Sequence, residues 1–287
     1  MTTYKQLKLV LFDAKDIPGL IALSDSVGWD YDELEIRTVM LSGKIFGHRN
    51  AEGKIVSSAA IIAYDSNLVS IGMVIVHENY RGFGLGKLAT QKCIDSVSEH
   101  TAIMLVATKE GEPLYKKMGF TTVDYVHKYI ADNYSGEKNF VSHEWSVEDF
   151  QEVDFAAIVR LDEVAFGEKR SNFLRNRIKQ SKRCIVVKDH QANIIGFGMS
   201  IAGPINLILG PIVAPDAQTA TDIFDTLTKD HNGKLRIDVP SGHAEFTKFL
   251  EQSGFTEANT PPVMILRAEK MPARNNTLFA IAAQIFG

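Results

Sequence analysis

The chain has 287 residues, of which 45% are hydrophobic and 23% charged, which is too apolar for a disordered chain and long enough for one large domain or two ordinary ones. Its 31 basic and 35 acidic residues leave a net charge of −4, without the basic surplus of a nucleic-acid binder. The two cysteines lie far apart and the apolar run 278–286 is far shorter than the ~20 residues that span a bilayer. We therefore expect a cytoplasmic protein that binds neither nucleic acid nor membrane.

Hydrophobic periodicity predicts the elements of the first 130 residues in chain order. The predicted helices cover 17–27, 31–41, 86–98 and 113–118, and the predicted strands cover 54–63, 68–76 and 101–107. Hairpins come first and a strand–helix–strand unit follows. This order is typical of an α/β fold with a mixed sheet whose later strands are parallel.

The same order of landmarks recurs further along the chain. The apolar run 68–76 has a counterpart at 205–213, with Gly72 matched by Gly210, 138 positions later. Phe120 is likewise matched by Phe255, 135 positions later. Landmarks at a nearly constant offset indicate an internal repeat. We predict two similar domains, residues 1–134 and 139–287, joined near residues 132–138.

The segment most suggestive of chemistry is Arg-Gly-Phe-Gly-Leu-Gly-Lys at residues 81–87, between a predicted strand and a predicted helix. Its three glycines allow backbone N–H groups to converge, and the helix N-terminus adds partial positive charge. Arg81 and Lys87 add full charges. The segment therefore predicts a phosphate or pyrophosphate site.

Two familiar phosphate loops fit this segment poorly. The Walker A pattern fails because Arg81 stands at its first glycine position and Leu88 replaces the hydroxyl residue that binds magnesium. The dinucleotide fingerprint is formally met by Gly84, Gly86 and Ala89, but no acidic residue precedes Glu110 where the ribose would need one.

A third pattern, R/Q-x-x-G-x-G/A, is met in full by residues 81–86, and Y-x-x-x-G-F follows at residues 115–120. With these two motifs the first domain, from about residue 8 to 129, resembles the GCN5-related N-acetyltransferase (GNAT) family. The resemblance implies two tandem acyl-CoA N-acyltransferase folds and acetyl-CoA as the cosubstrate. It implies direct transfer of an acetyl group to a primary amine of a small molecule or peptide.

The family pattern also assigns residues to acetyl-CoA. It implies that the pyrophosphate is held by the loop and the pantetheine arm by the preceding strand. The implied cofactor-binding residues are Val74, Val76, Arg81, Gly82, Phe83, Gly84, Leu85, Gly86 and Lys87. Thr108 departs from the pattern, because many relatives have at this position an asparagine that helps to hold the cofactor.

The resemblance makes Tyr115 the candidate general acid that protonates the departing thiolate. No acidic residue lies between Asp65 and Glu78, so the general base is left open between Glu78, His77 and a chain of water molecules. His231 and His243 lack the spacing of metal ligands, and we expect no metal.

In this family the segment between the first two helices covers the amine side of the cleft. Here that segment contains Trp29 and Asp30, which suit a cationic amine. An equally good interpretation is structural: Asp30 caps the second helix and Glu33 reaches back to it. The two interpretations are both kept open.

The second domain resembles the C-terminal half of tandem members of the family. Its loop, residues 212–220, has neither arginine nor a glycine ladder, and Phe246 or Phe249 stands near the position of Tyr115. We expect a degenerate copy that packs on the first domain and walls the amine cleft, in a monomer or homodimer. The alternative for the whole chain is a non-catalytic acyl-CoA-binding sensor or scaffold.

Overall fold

The computed structural model describes residues 7–134 and 145–287; much of the predicted connection near 132–138 lies outside them. The helices α1 to α8 cover Ile17–Asp25, Glu33–Ser42, Leu85–Ile94, Glu112–Lys117, Phe155–Phe166, Ser171–Gln180, Ala217–Thr228 and Ala244–Gln252. The strands β1 to β7 cover Lys8–Leu11, Gly43–Arg49, Ile55–Ala63, Leu68–Val76, Ala102–Val106, Thr121–Ala131 and Trp145–Asp149. The strands β8 to β14 cover Arg183–Asp189, Ile194–Ala202, Leu207–Val213, Leu235–Pro240, Thr256–Asn259, Pro262–Leu266 and Leu278–Ala280.

The α/β prediction is confirmed, and every helix and strand predicted for the first half is present, with ends shifted by a few residues. We call the residues up to 134 the first half and those from 145 the second half. In each half, antiparallel hairpins precede one parallel pair of strands. The parallel pairs are β4 with β5 and β10 with β11. Each parallel pair is joined by a crossover helix, α3 or α7, as parallel strands require.

Each half places one strand in the other half's part of the sheet. In the first half the order is β1-β2-β3-β4-β5-β13-β6, so a strand of the second half lies between β5 and β6. In the second half β6 lies between β11 and β12. The described strands thereby form one continuous 14-stranded sheet. The division into residues 1–134 and 139–287 stays a prediction about the repeat.

The largest apolar cluster also draws on both halves. Leu20 and Ile36 from α1 and α2 belong to the same buried group as Phe173 from α6 and Phe286 near the end of the chain. All four are fully buried. The faces of α2 and α6 pack against each other, so the region between the halves is a hydrophobic core and not a solvated interface.

Within the ranges 7–134 and 145–287, no helix is long and apolar enough to cross a membrane.

Candidate active site

The glycine-rich segment forms an exposed turn that leads into α3. Gly82 and Gly84 have φ angles of +82° and +75°, a conformation that residues with side chains rarely adopt. Gly84 directly precedes α3, and a Cβ atom added to either glycine would meet nothing within 4 Å. The first N–H groups of a helix have no partner within the helix. Open space in front of them suits a phosphate.

The side chains around this turn divide into two groups. Arg81, Phe83 and Lys87 are exposed, and Arg81 Nε lies 3.4 Å from the carbonyl oxygen of Val76. Leu85 is buried and anchors the start of α3. The loop thus offers backbone groups and two cations to solvent on a fixed helix.

Beside this loop, β4 and β5 separate. Their parallel pairing ends at Ile71 and Leu105, so Val74 and Val76 lie beyond the last paired residue. On the other edge of β4 the register with β3 shifts, and Met73 there has a φ of +51°. A bulge of this kind bends the strand and ends its pairing. The opening leaves backbone groups of β4 available to a bound molecule.

A cavity of about 250 Å³ lies where the strands separate. From the first half it is lined by Gly72 and Met73 of β4, Val106 and Thr108 at the end of β5, Lys128 of β6, and residues 28–32 with Glu35. Met73 and Val76 are three residues apart, or ~10 Å along a strand. The cavity and the glycine-rich loop therefore lie at opposite ends of one short stretch of β4.

Trp29 and Asp30 both line this cavity, and both belong to the turn between α1 and α2. The capping interpretation of Asp30 is wrong. Asp32 caps α2 instead: its Oδ1 accepts from the backbone N–H of Glu35 at 2.7 Å. The motif was ambiguous because two aspartates stand two residues apart, and the second has the extended backbone of a cap.

The second half supplies much of the remaining wall. Its lining residues are Gln180, 201–204, Ile208, Arg236, Asn259 and 283–285. Of these, Ile285 lies directly on β4: a Cβ atom at Gly72 would come within 2.6 Å of Ile285 Cγ1. Ser70 Oγ also donates to the carbonyl oxygen of Ile285 at 2.8 Å. Glycine at position 72 lets this segment approach.

Sequence reasoning missed these contributors from the second half, and it also missed Lys128 of β6; among them, Lys128 and Arg236 carry charge. Arg236 Nε is 2.8 Å from Asp238 Oδ2, and Gln284 Nε2 donates to the other oxygen of Asp238 at 2.9 Å. One signal was present in the chain. Arg236 and Asp238 alternate with apolar residues in a strand that is otherwise buried, and charged residues are rarely placed there without a partner.

Tyr115 lies elsewhere. Its ring is 7% exposed and belongs to an apolar cluster with Cys93 of α3 and Phe120, whose ring centroid is 5.9 Å away. It does not line the cavity. Burial raises the pKa of its hydroxyl, and Cys93 adds to the effect. The phenol is therefore firmly protonated at neutral pH, as a proton donor must be.

Glu78 is exposed, in a short 3-10 helix between β4 and the loop. It too lies outside the cavity lining. The structure thus brings Trp29 and Asp30 together at the cavity and leaves Glu78 and Tyr115 apart from them.

The second half closes the equivalent places. Asp216 caps α7, its Oδ1 accepting from the N–H of Thr219 at 2.8 Å, so a carboxylate stands where the first half has Gly84. Strand β14 pairs with β10 at Ile212 and Val213, past the point where β10 and β11 stop pairing. A chain segment of the protein itself thus fills the second opening.

The position of Tyr115 in the second half is held by Leu250. Phe120 N–H donates to the carbonyl oxygen of Tyr115, and Phe255 N–H donates to that of Leu250, both at 3.0 Å. The expectation that Phe246 or Phe249 stands there is wrong: both lie on α8 before Leu250, and counting five positions back from Phe255, as from Phe120 to Tyr115, gives Leu250. Leucine has no proton to donate.

Over the part of the chain that the structure describes, no group of three or more His, Cys, Asp or Glu side chains is arranged to hold a metal ion.

Two copies of one mixed sheet, one of them with a glycine-rich loop at a strand opening, define a tandem acetyltransferase. Models of the GNAT acetyltransferase domain match residues 31–129 and residues 158–280. The chain belongs to the GNAT family and is an N-acetyltransferase of that type. The predicted resemblance and the predicted pair of GNAT folds are confirmed.

Among its relatives is the uncharacterized N-acetyltransferase YitH of Bacillus subtilis (strain 168), 36% identical over 281 residues and covering 98% of each chain. A putative acetyltransferase of Pyrococcus horikoshii has a similar fold, with a TM-score of 0.80, 17% identity, and 99% and 97% of the two chains covered. A tandem GNAT protein from the clavulanic acid biosynthesis pathway matches with a TM-score of 0.65 and 12% identity, covering 91% and 98%.

Proposed function

We propose that this protein transfers an acetyl group from acetyl-CoA to a primary amine of a small molecule. The observation that carries the proposal is the arrangement along β4: an exposed glycine turn at one end and a lined cavity at the other, joined by an unpaired strand edge. The arrangement suits an extended donor whose phosphates and reacting end lie apart. A cavity of about 250 Å³ favours a small acceptor over a peptide.

In this proposal residues 81–87 hold the pyrophosphate through the N–H groups of the turn and the charges of Arg81 and Lys87. The backbone of Val74 and Val76 holds the pantetheine arm at the open edge of β4. The residues present fit this role, since Gly82 and Gly84 leave the space open. When bound, acetyl-CoA supplies an activated acetyl thioester.

The protein's own groups have three tasks in the reaction. The cavity holds the amine beside β4, where proximity replaces chance encounter. Tyr115 gives its proton to the sulfur as the carbon–sulfur bond breaks and the carbon–nitrogen bond forms. The amine gives up a proton. The exposure of Glu78 favours water over its carboxylate as the acceptor of that proton.

The test is release of coenzyme A when the protein is mixed with acetyl-CoA and a panel of amines. Arg81→Ala should weaken acetyl-CoA binding by roughly 10-fold, the loss of one charge-assisted hydrogen bond. The variant should fold normally because the side chain of Arg81 is exposed. Arg160→Ala, an exposed arginine on α5, is the control and should change nothing. Unchanged affinity in Arg81→Ala would mean that the loop does not hold the pyrophosphate. Binding of acetyl-CoA without turnover of any amine would favour the sensor or scaffold alternative.

A further inference from the structure

The wall of the cavity carries five charged side chains of both signs. Three are acidic, Asp30, Asp32 and Glu35, and two are basic, Lys128 and Arg236. They come from different parts of the molecule, since the acids belong to the turn before α2 and to α2 itself, whereas the bases belong to β6 and β11. What they can bind depends on which of them already have partners.

Three of the five are engaged by the protein itself. Asp32 accepts the capping hydrogen bond of α2. Glu35 Oε2 lies 2.5 Å from Arg177 Nη1 and accepts from Gln180 Nε2 at 2.6 Å. Arg236 is paired with Asp238. These contacts give all three groups a partner within the protein.

Asp30 and Lys128 are the other two. Among residues 7–134 and 145–287, neither side chain has a hydrogen-bond or ion-pair partner, and they do not pair with each other. Both are only partly exposed. Burial and the neighbouring Arg236 lower the pKa of Lys128, whereas Asp238 and Asp30 act in the opposite direction. A half-buried ammonium beside a guanidinium is costly until an anion contacts it.

From these two charged side chains, which make no hydrogen bond or ion pair with any other described residue, we propose that the acceptor is an amino acid or a close analogue, a small primary amine that also carries a carboxylate. The carboxylate of Asp30 would receive the amino group as it enters, and Lys128, with Arg236 behind it, would receive the acid group. The proposal rests on the proposed function, because it describes the acceptor of that same site. It adds a requirement that a simple amine does not meet.

The experiment measures binding and does not depend on turnover. The full-length protein, saturated with coenzyme A, is titrated calorimetrically with matched pairs: L-lysine and cadaverine, L-phenylalanine and phenethylamine, L-histidine and histamine, L-serine and ethanolamine. Each pair differs only by the carboxylate. At least one amino acid should bind 10-fold or more tightly than its decarboxylated partner. Equal or weaker binding by all the amino acids, including no binding, would overturn the proposal.

Variants then locate the effect. Lys128→Met should remove the preference for the amino acid, so that the affinities of the two members of each matched pair come within 2-fold of each other. Lys128→Arg should restore most of the preference. Lys234→Met is the matched control, since Lys234 directly precedes β11 and has a side chain 59% exposed, and it should behave as wild type. A loss shared equally by both members of a pair in Lys128→Met would also overturn the proposal.

Failure of this proposal and failure of the proposed function give different results. Coenzyme A release with simple amines, and no preference for a carboxylate, would contradict only the acceptor class. Tight binding of an amino acid without acetyl transfer to any amine would contradict the proposed enzymatic function and support the proposed amino-acid site.

Discussion

At the scale of single residues, Asp30 and Asp32 illustrate how two identical side chains acquire different roles. Asp32 has an extended backbone conformation, and its carboxylate accepts a hydrogen bond at the N-terminus of α2. A cap of this type contributes about 1 kcal/mol. Asp30 lies two residues earlier, in the cavity wall, and has no such bond. The charge of Asp30 is available to a ligand because Asp32 already caps the N-terminus of α2.

Tyr115 carries a prediction at this scale. Tyr115→Phe should lower kcat by roughly 100-fold or more, in the range typical of losing a general acid, and leave acetyl-CoA affinity within 2-fold. Tyr125→Phe, at a side chain 48% exposed, is the control. Coenzyme A release and equilibrium binding are measured on the same preparations. Equal turnover of Tyr115→Phe and wild type would assign the ring to packing alone.

The raised pKa of Tyr115 gives the expected pH profile. A general acid must be protonated to act, and a pKa raised above the ordinary value of ~10 extends the protonated range upward. The pH–kcat profile should therefore show no fall between about pH 7 and pH 10 that is due to this group. A descending limb with a midpoint near pH 8 would point to a different proton donor.

At the scale of elements, the two crossover helices begin in opposite ways. Helix α3 begins after Gly84 in a left-handed conformation, which leaves its N-terminus open. Helix α7 begins after Asp216, whose carboxylate occupies that end. The same βαβ geometry thus leaves the helix N-terminus open in one half and closes it with a carboxylate in the other, through a single residue at the cap.

The segment after β14 is held to helices α5 and α6 by Arg170. Its guanidinium makes two hydrogen bonds to Asp162, at 2.7 and 2.9 Å, and Nη1 donates to the carbonyl oxygens of Phe286 and Gly287 at 3.1 and 2.9 Å. Both members of the ion pair are fully buried. One cation therefore connects two helices with a segment that also lines the cavity.

Arg170→Ala should lower the free energy of unfolding by about 3–5 kcal/mol, the cost of leaving a buried charge without its partner. Chemical denaturation measures the change. Arg37→Ala is the matched control: its pair with Glu33 is 50% and 58% exposed, and its loss should cost less than about 1 kcal/mol. Similar costs in the two variants would contradict the assignment of Arg170 as a buried anchor.

Sequence reasoning reached the local features and missed the long-range ones. The positive φ angles of Gly82 and Gly84 follow from the glycines themselves, and the apolar run of β4 follows from hydrophobicity. The pairing of β13 with β5 joins residues about 160 positions apart, and no periodicity encodes such a partner. Lys128 was missed for the same reason, since its place in the cavity depends on strands from both halves.

At the scale of the whole molecule, the exchange of strands makes the halves interdependent. Residues 1–134 alone would expose the edges of β5 and β6 that β13 covers, and unpaired edges favour association. We expect this fragment to aggregate or self-associate, and co-expression with residues 139–287 to give a 1:1 complex that binds acetyl-CoA. Size-exclusion chromatography and circular dichroism distinguish these outcomes. A monomeric fragment 1–134 with cooperative unfolding would show that the exchange is dispensable.

The same exchange sets an order of events during synthesis on the ribosome. β6 ends at Ala131 and β13 ends at Leu266, so the strand that completes the first sheet is translated 266 − 131 = 135 residues later. At 5–20 residues per second, that interval is roughly 7–27 s. During this time the nascent chain contains the whole glycine-rich segment 81–87, whereas the edges of β5 and β6 that β13 covers have no partner. The segment that we propose to hold acetyl-CoA is therefore synthesised well before the strand that completes its sheet.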